Sequence, residues 1–242
     1  LLMLGGQKKI TTIDISNRSI ESLMPLKNIK HISKLDVSKN RIKNIDELKY
    51  FTEVEDLNIA QNNFDTIASV PILPKLKTLN ISSNKIYPLH KLPSWNTIEK
   101  LTAIEINSRE LKGLPTFPKL RELDLSSNNL ANIPPLDKYP LLEKVALRNC
   151  KSIEEYEFPL MPSIKSIDLS NNGFNLQKNF VLDNLLLLPN VQEVDLSNNN
   201  MIYIPKASSN VAELNKQTFF DGITDLNINN NRIDDLYGIE KF

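Results

Sequence analysis

Residues 120–130 read LRELDLSSNNL, and the spacing of their apolar side chains decides the fold. Leu120, Leu123 and Leu125 stand three and then two apart, and Asn128 follows two serines later. At strand period, Leu123 and Leu125 point to one face and Asp124 to the other. The unit recurs along the chain. IDISNR from Ile13, LDVSKN from Leu35, LNIAQN from Leu57, LNISSN from Leu79, VALRNC from Val145, IDLSNN from Ile167, VDLSNN from Val194 and LNINNN from Leu226 repeat it. The first apolar position of each unit falls at Ile10, Ile32, Val54, Leu76, Ile98, Leu120, Leu142 and Ile164, a period of 22. Two further units start at Val191 and Ile223, after wider spacings.

A fixed period of this kind marks stacked repeats. Each repeat adds one strand to a parallel sheet that lines the inside of a curved solenoid. The polar residue closing each unit (Asn40, Asn62, Asn84, Asn128, Asn172, Asn199, Asn231) enters a buried turn. Its amide both donates and accepts, which meets the backbone groups left open as the chain leaves the strand. Cys150 stands at the same position, so its expected role is structural. The return halves run at a spacing of three, as in Ile42, Ile45, Leu48 and Phe51, or Ile86, Leu89, Leu92 and Trp95. That spacing suits 3₁₀ or short extended turns better than α-helix. Trp95 aligns with Ile29, Phe51, Leu73, Phe117, Tyr139 and Met161, all apolar, and is expected in the core.

These motifs resemble the leucine-rich-repeat superfamily, and within it the 22-residue class typified by the repeat subunit that regulates type-1 protein phosphatase. They are also similar to the repeats of centriolin-type spindle-pole scaffolds, tubulin-folding cofactors and ciliary proteins. The resemblance implies an α/β solenoid: a right-handed horseshoe of about ten repeats that binds proteins on its concave sheet and catalyses nothing. It implies an intracellular regulatory or scaffold protein, in the cytoplasm, at a spindle pole or centrosome, or in the nucleus. The alternative is a secreted or cell-surface recognition domain, for example of pathogen origin. Residues 1–242 are expected to form a single leucine-rich-repeat domain of a longer protein, because neither end offers a convincing polar cap.

The beat falters in two places. Residues 101–111, LTAIEINSREL, admit two registers. One keeps the 22-residue phase, with Leu101 and Ala103 as the core pair. The other slides by three, with Ile104 and Ile106 in the core, Glu105 facing outward and Arg109 at the asparagine position. The alternation of Ile104 and Ile106 favours the shifted register. Near the C-terminus, the units from Ile164 and Val191 run to 27 and 32 residues. Their added stretches are expected to form short helices, with Phe180, Leu185 and Leu188, or Val211 and Leu214, facing inward. Ser208, Ser209 or Asn210 would cap the second.

Composition narrows the function. The 29 basic and 29 acidic residues balance, so no net field draws in nucleic acid or an acidic membrane. The longest apolar run, Leu185 to Leu188, falls far short of the ~20 residues that span a bilayer. The opening residues lack the pattern of a secretory leader. One cysteine excludes an internal disulfide framework and favours a reducing compartment, whereas the sequons at Asn17 and Asn80 lean the other way. His31 and His90 lie on separate repeats, and no phosphate loop, paired-histidine metal motif or nucleophile elbow occurs. Neither an enzyme nor any cofactor is expected.

The expected binding surface is the concave face. Its outward residues include Asp36, Asn58, Asn80, Asp124, Asp168 and Asp195, flanked by Asp56, Glu122 and Glu193, with Glu105 added in the shifted register. Stacked at ~4.8 Å per strand, they make an acidic stripe suited to a protein partner with a basic surface or peptide, with positive charge lying elsewhere. These acids equally suit a local role in the sheet. Lys144 and Arg148 interrupt the stripe, and Arg148 is either a contact or the partner of its acidic neighbours. The domain is expected to be monomeric.

Overall fold

The computed structural model describes residues 9–64, 70–84, 89–108, 114–150, 152–153, 158–174, 185, 187–202 and 222–234. Each repeat contributes one three-residue strand: β1 (Thr12–Asp14), β2 (Lys34–Asp36), β3 (Asp56–Asn58), β4 (Thr78–Asn80), β5 (Lys100–Thr102), β6 (Glu122–Asp124), β7 (Lys144–Ala146), β8 (Ser166–Asp168), β9 (Glu193–Asp195) and β10 (Asp225–Asn227). They form one ten-stranded parallel sheet in strict chain order, the architecture of the leucine-rich-repeat horseshoe. Leu35, Leu57, Leu79, Leu101, Leu123, Val145, Ile167 and Val194 stand opposite one another in successive strands, a continuous apolar column under the sheet. The pairing outlasts the strands, since Val37 N–H still donates to Asn58 O and Lys39 N–H to Ala60 O, both at 2.9 Å.

The return halves are 3₁₀ turns where they are regular, at Met24–Leu26, Ile45–Tyr50, Leu89–Lys91 and Leu136–Lys138. Their apolar residues close the core: Ile42, Ile45, Leu48 and Phe51 are buried, as is Trp95. Trp95, Phe117 and Tyr139 stack in a column, with ring centroids 6.4 and 6.2 Å apart. Of the late inserts, Leu185 and Leu188 are buried as expected. Phe180, Val211, Leu214 and the proposed cap at 208–210 lie outside the described residues.

The turn leaving each strand requires a left-handed residue. Lys39, Gln61, Ser83, Glu105, Ser127, Asn149, Asn171, Asn198 and Asn230 all have φ between 51° and 59°. Such backbone costs roughly 1–2 kcal/mol for a residue with a Cβ, and the asparagine ladder holds it in place. Asn40 Nδ2 donates to Ile15 O and Val37 O at 2.9 Å, while Oδ1 accepts from Arg18 N–H at 3.0 Å and Ile20 N–H at 2.9 Å. Each amide thus binds its own turn and the preceding repeat at once.

This geometry corrects the shifted register at the fifth repeat. Leu101 pairs with Leu79 on one side and Leu123 on the other, and Ala103 is fully buried. A slide of three residues would break the ladders on both flanks and misplace the left-handed turn, which falls in phase at Glu105. Ile106 therefore occupies the asparagine position, 2 % exposed, and Ile104 faces outward, half-buried. Glu105 lies in the turn, not the strand, and its carboxylate accepts from Ser83 Oγ at 3.1 Å. Arg109 lies outside the described residues.

Candidate functional site

Three outward positions per repeat build the concave face. The first is the strand's opening residue: Lys34, Asp56, Thr78, Lys100, Glu122, Lys144, Ser166, Glu193 and Asp225 from β2 to β10. The second is its closing residue, where Asp36, Asn58, Asn80, Asp124, Asp168 and Asp195 lie. Two residues further on stands a third row, Ser38, Ala60, Ser82, Ile104, Ser126, Arg148, Ser170 and Ser197.

The closing acids are first of all turn caps. Oδ1 of Asp36, Asp124, Asp168 and Asp195 accepts the backbone N–H two residues later, at 2.8 to 3.0 Å. Asn58 and Asn80 do the same for Ala60 and Ser82 at 3.2 and 3.0 Å. This is the Asx turn, in which a short side chain replaces a backbone acceptor. The local role open to these acids in the sequence is thus the one they hold. Among the other Oδ2 atoms, Asp36 accepts from Asn58 Nδ2 at 2.9 Å and Asp195 from Asn227 Nδ2 at 3.0 Å.

The expected separation of charge is corrected as well, because cations interleave with the acids on the same sheet. Lys34 pairs with Asp56 at 2.8 Å, Lys100 with Glu122 at 2.6 Å and Arg148 Nε with Asp168 at 3.2 Å. The hydrogen bond that Lys34 donates to Asp56 pushes its ammonium above the ordinary value. Just outside the strands, Glu55, Lys77, Glu99, Arg121, Glu143 and Lys165 alternate in sign along the stack, with Lys77–Glu55 at 2.7 Å and Arg121–Glu143 at 2.5 Å. Asp36 and Asp124 enter no ion pair among the described residues, and at the C-terminal end of the stripe three such acids stand together. Glu193, Asp195 and Asp225 enter no ion pair among the described residues, and Glu193 stands opposite Asp225 in the register.

Two repeats break the pattern at three positions together. The fifth has Thr102, Ile104 and Ile106, and the seventh Ala146, Arg148 and Cys150, where the second, third, fourth, sixth, eighth and ninth place an acid or amide, a small residue and an asparagine. With the turn cap gone, the orphaned N–H is met by the preceding repeat: Ile104 N–H donates to Ser82 Oγ at 3.0 Å and Arg148 N–H to Ser126 Oγ at 3.2 Å. In the ladder, Cys150 keeps a weak version of the asparagine bonds, with Sγ 3.5 Å from Leu125 O and 3.7 Å from Arg148 O. Burial pushes its thiol above the ordinary value, against hydrogen bonding from the Asn128 and Ser127 backbone. Ile104 and Arg148 are the large members of the third row, of which sequence reasoning singled out Arg148 as a contact but did not recognise the row. The signal was present as a run of serines at constant phase.

No group of three or more histidine, cysteine or acidic residues among those described is arranged to hold a metal ion. No described helix is long and apolar enough to cross a membrane. Residues 119–137 match the family described as Leucine Rich Repeat, and residues 73–87 match a second family of the same description. No curated protein matches the sequence with significance. Among solved structures, an internalin from Listeria monocytogenes is 17 % identical with a TM-score of 0.63, over 94 % of this chain and 69 % of that one. Human 5T4, a trophoblast glycoprotein, is 18 % identical with a TM-score of 0.67, over 89 % and 84 %. The LRIM1/APL1C complex contributes a chain 18 % identical with a TM-score of 0.58, over 93 % and 40 %. At these identities the likeness is one of fold.

Proposed function

We propose that this leucine-rich-repeat chain is a non-catalytic protein-interaction domain that takes its partner on the concave face, with the partner's basic side over the C-terminal strands. The observation that carries this reading is the contrast along the sheet. Asp56, Glu122 and Asp168 are neutralised by Lys34, Lys100 and Arg148, and Asp36 and Asp124 stand singly, whereas Glu193, Asp195 and Asp225 stand together on two adjacent strands without a cation among the described residues. A rigid sheet with fixed charge loses little conformational freedom on binding and steers a complementary partner. The test is a titration with a labelled Lys/Arg-rich dodecapeptide. Reversal of Glu193, Asp195 and Asp225 to Lys weakens binding by about tenfold or more if a desolvated charge contact is lost, while reversal of Asp46 and Asp137 on the 3₁₀ turns leaves it unchanged. Equal effects of both sets would overturn the placement.

Within that class, we assign the domain to an intracellular regulatory or scaffold protein of the phosphatase-regulatory or spindle-pole type. The single buried cysteine, Cys150, supports a reducing compartment. Purified domain should then retain a phosphatase catalytic subunit in a pull-down at micromolar concentration, and absence of retention removes the phosphatase branch. The second reading, a secreted or cell-surface recognition domain, is favoured by Asn17 and Ser19, both exposed in a sequon at the first turn. Glycan on Asn17 in the natural host would select it.

A further inference from the structure

We propose that the notch between Ile104 and Arg148 is a subsite for a carboxylate on an aliphatic stem, so that the partner segment is dipolar: an acid at β5–β7 and basic residues over β9–β10. This deepens the concave-face reading above and rests on it. The third outward row is otherwise a trough of small side chains, with Ser38, Ser82, Ser126, Ser170 and Ser197 all buried. Ile104 and Arg148 rise from it two strands apart, which is about 10 Å at the usual strand spacing. Ser126 floors the space between them, 3 % exposed. One wall is apolar and the other cationic.

The charges favour an acid at this point and not along the rest of the face. β7 carries Lys144 and Arg148 with Ala146 between them, two cations and no acid on one strand. Lys144 enters no ion pair among the described residues, because its register neighbours are Ser166 and Glu122, and Glu122 is already bonded to Lys100 at 2.6 Å. Arg148 uses Nε for Asp168 and its side chain remains 54 % exposed, which leaves the outer fork of the guanidinium for a second carboxylate. Asp124, two residues before Ser126, has Oδ1 committed to Ser126 N–H at 3.0 Å.

The backbone around the notch shows the same concentration of change. Both repeats that bear the walls have lost the turn cap and the ladder asparagine, and in each a serine hydroxyl of the preceding repeat has taken over the turn N–H. A sheet selected only for stability has no reason to place its large third-row residues on those two repeats. A sheet that presents Ile104 and Arg148 to a ligand does.

The probe is a display library of random dodecapeptides panned on the purified full chain, on R148E, R148Q and I104A, and on E193K/D195K. Both wall side chains reach solvent, and the Arg148 turn is held by its backbone, so the variants keep the fold; circular dichroism confirms it. Peptides enriched on the wild type are expected to carry one Glu or Asp beside an aliphatic residue, with Lys or Arg following. On R148Q their affinity falls about tenfold, the scale of a truncated interface arginine, and on R148E selection turns to basic residues at the acid's place. Selection on E193K/D195K keeps the acid and drops the basic block. Enriched peptides that are basic throughout, or acid-bearing peptides that bind R148E as well as wild type, overturn the subsite and leave the concave-face reading standing. No enrichment on the wild type overturns both.

Discussion

Substitution of Asn128 by Ala tests the ladder where it is thinnest. Asn128 Nδ2 donates to Ala103 O and Leu125 O at 2.8 Å, and Oδ1 accepts from Ile106 N–H at 3.1 Å and Ser108 N–H at 3.2 Å. The rungs on either side are Ile106, which has no polar atom, and Cys150, whose thiol bonds weakly. No neighbouring asparagine is therefore placed to take over. Truncation takes an acceptor from two buried backbone donors, and each donor left unmet costs about 1–3 kcal/mol. The sum is about 4 kcal/mol, a large share of the roughly 5–15 kcal/mol that holds a typical domain folded. Asn62, flanked by Asn40 and Asn84, should cost no more than this when truncated. Urea denaturation followed by circular dichroism measures the loss. Hydrogen exchange at the Ile106 and Ser108 amides localises it, which matters in a solenoid that can open repeat by repeat. A loss below ~1 kcal/mol with both amides still protected would refute the assigned role.

Trp95 buries an indole N–H that has no hydrogen-bond partner among the described residues, so W95F should change stability by less than about 1 kcal/mol as relief of that donor offsets lost volume, whereas W95A costs about 3–5; equal losses in thermal melts would contradict this. Asp124→Asn keeps the Oδ1 acceptor for Ser126 N–H and should leave the melting temperature unchanged, while Asp124→Ala loses about 1 kcal/mol. The Cys150 thiol, held above its ordinary 9.0 by burial, should resist iodoacetamide in the native chain at pH 9. Since its folded value is the higher one, its contribution to stability is intact below pH 9.0 and is lost as pH rises beyond it. Returning the seventh repeat to the common pattern with A146D/R148S/C150N restores a cap and a rung and should stabilise the chain by about 1–2 kcal/mol; a net loss on urea denaturation would show that the pattern is not the source of its stability.

The fold was legible because each strand advertises itself through two signals of different physical origin. Leu123 and Leu125 mark the buried face, and Asn128 marks the turn. The position of Trp95 in the core and the structural role of Cys150 followed from phase alone. The fifth repeat misled because Ile104 and Ile106 look more like a strand than Leu101 and Ala103 do. Alternation is a local signal, and in a parallel stack the register of Leu101 is set by Leu79 and Leu123, which lie 22 residues away on either side. Charge was misjudged for a related reason. The closing acids are consecutive down the stack but not in the chain, and so are the lysines that neutralise the opening row. Glu47, whose carboxylate accepts from Ser22 Oγ at 3.1 Å, was equally hidden by its distance from its partner.

The turn cap and the ladder asparagine flank one left-handed residue; the fifth and seventh repeats lack both, whereas the first keeps the Asp14 cap on Ser16 N–H at 2.9 Å with Arg18 at the ladder position. The cap fixes the first N–H of the turn, and the asparagine fixes the carbonyls on either side of it and the next repeat's approach. Without the cap, the turn N–H must reach for the preceding strand, as Ile104 and Arg148 do toward Ser82 and Ser126. That reach is possible because the third row is serine at those places, so each irregular repeat depends on a regular one before it. Two such repeats in succession would leave the second turn's N–H without an acceptor, and the sixth repeat, with Asp124, Ser126 and Asn128 all in place, stands between them. Two strands is thus the shortest spacing at which two capless turns can each reach a serine of a regular repeat, and it leaves open which side chains those turns carry outward.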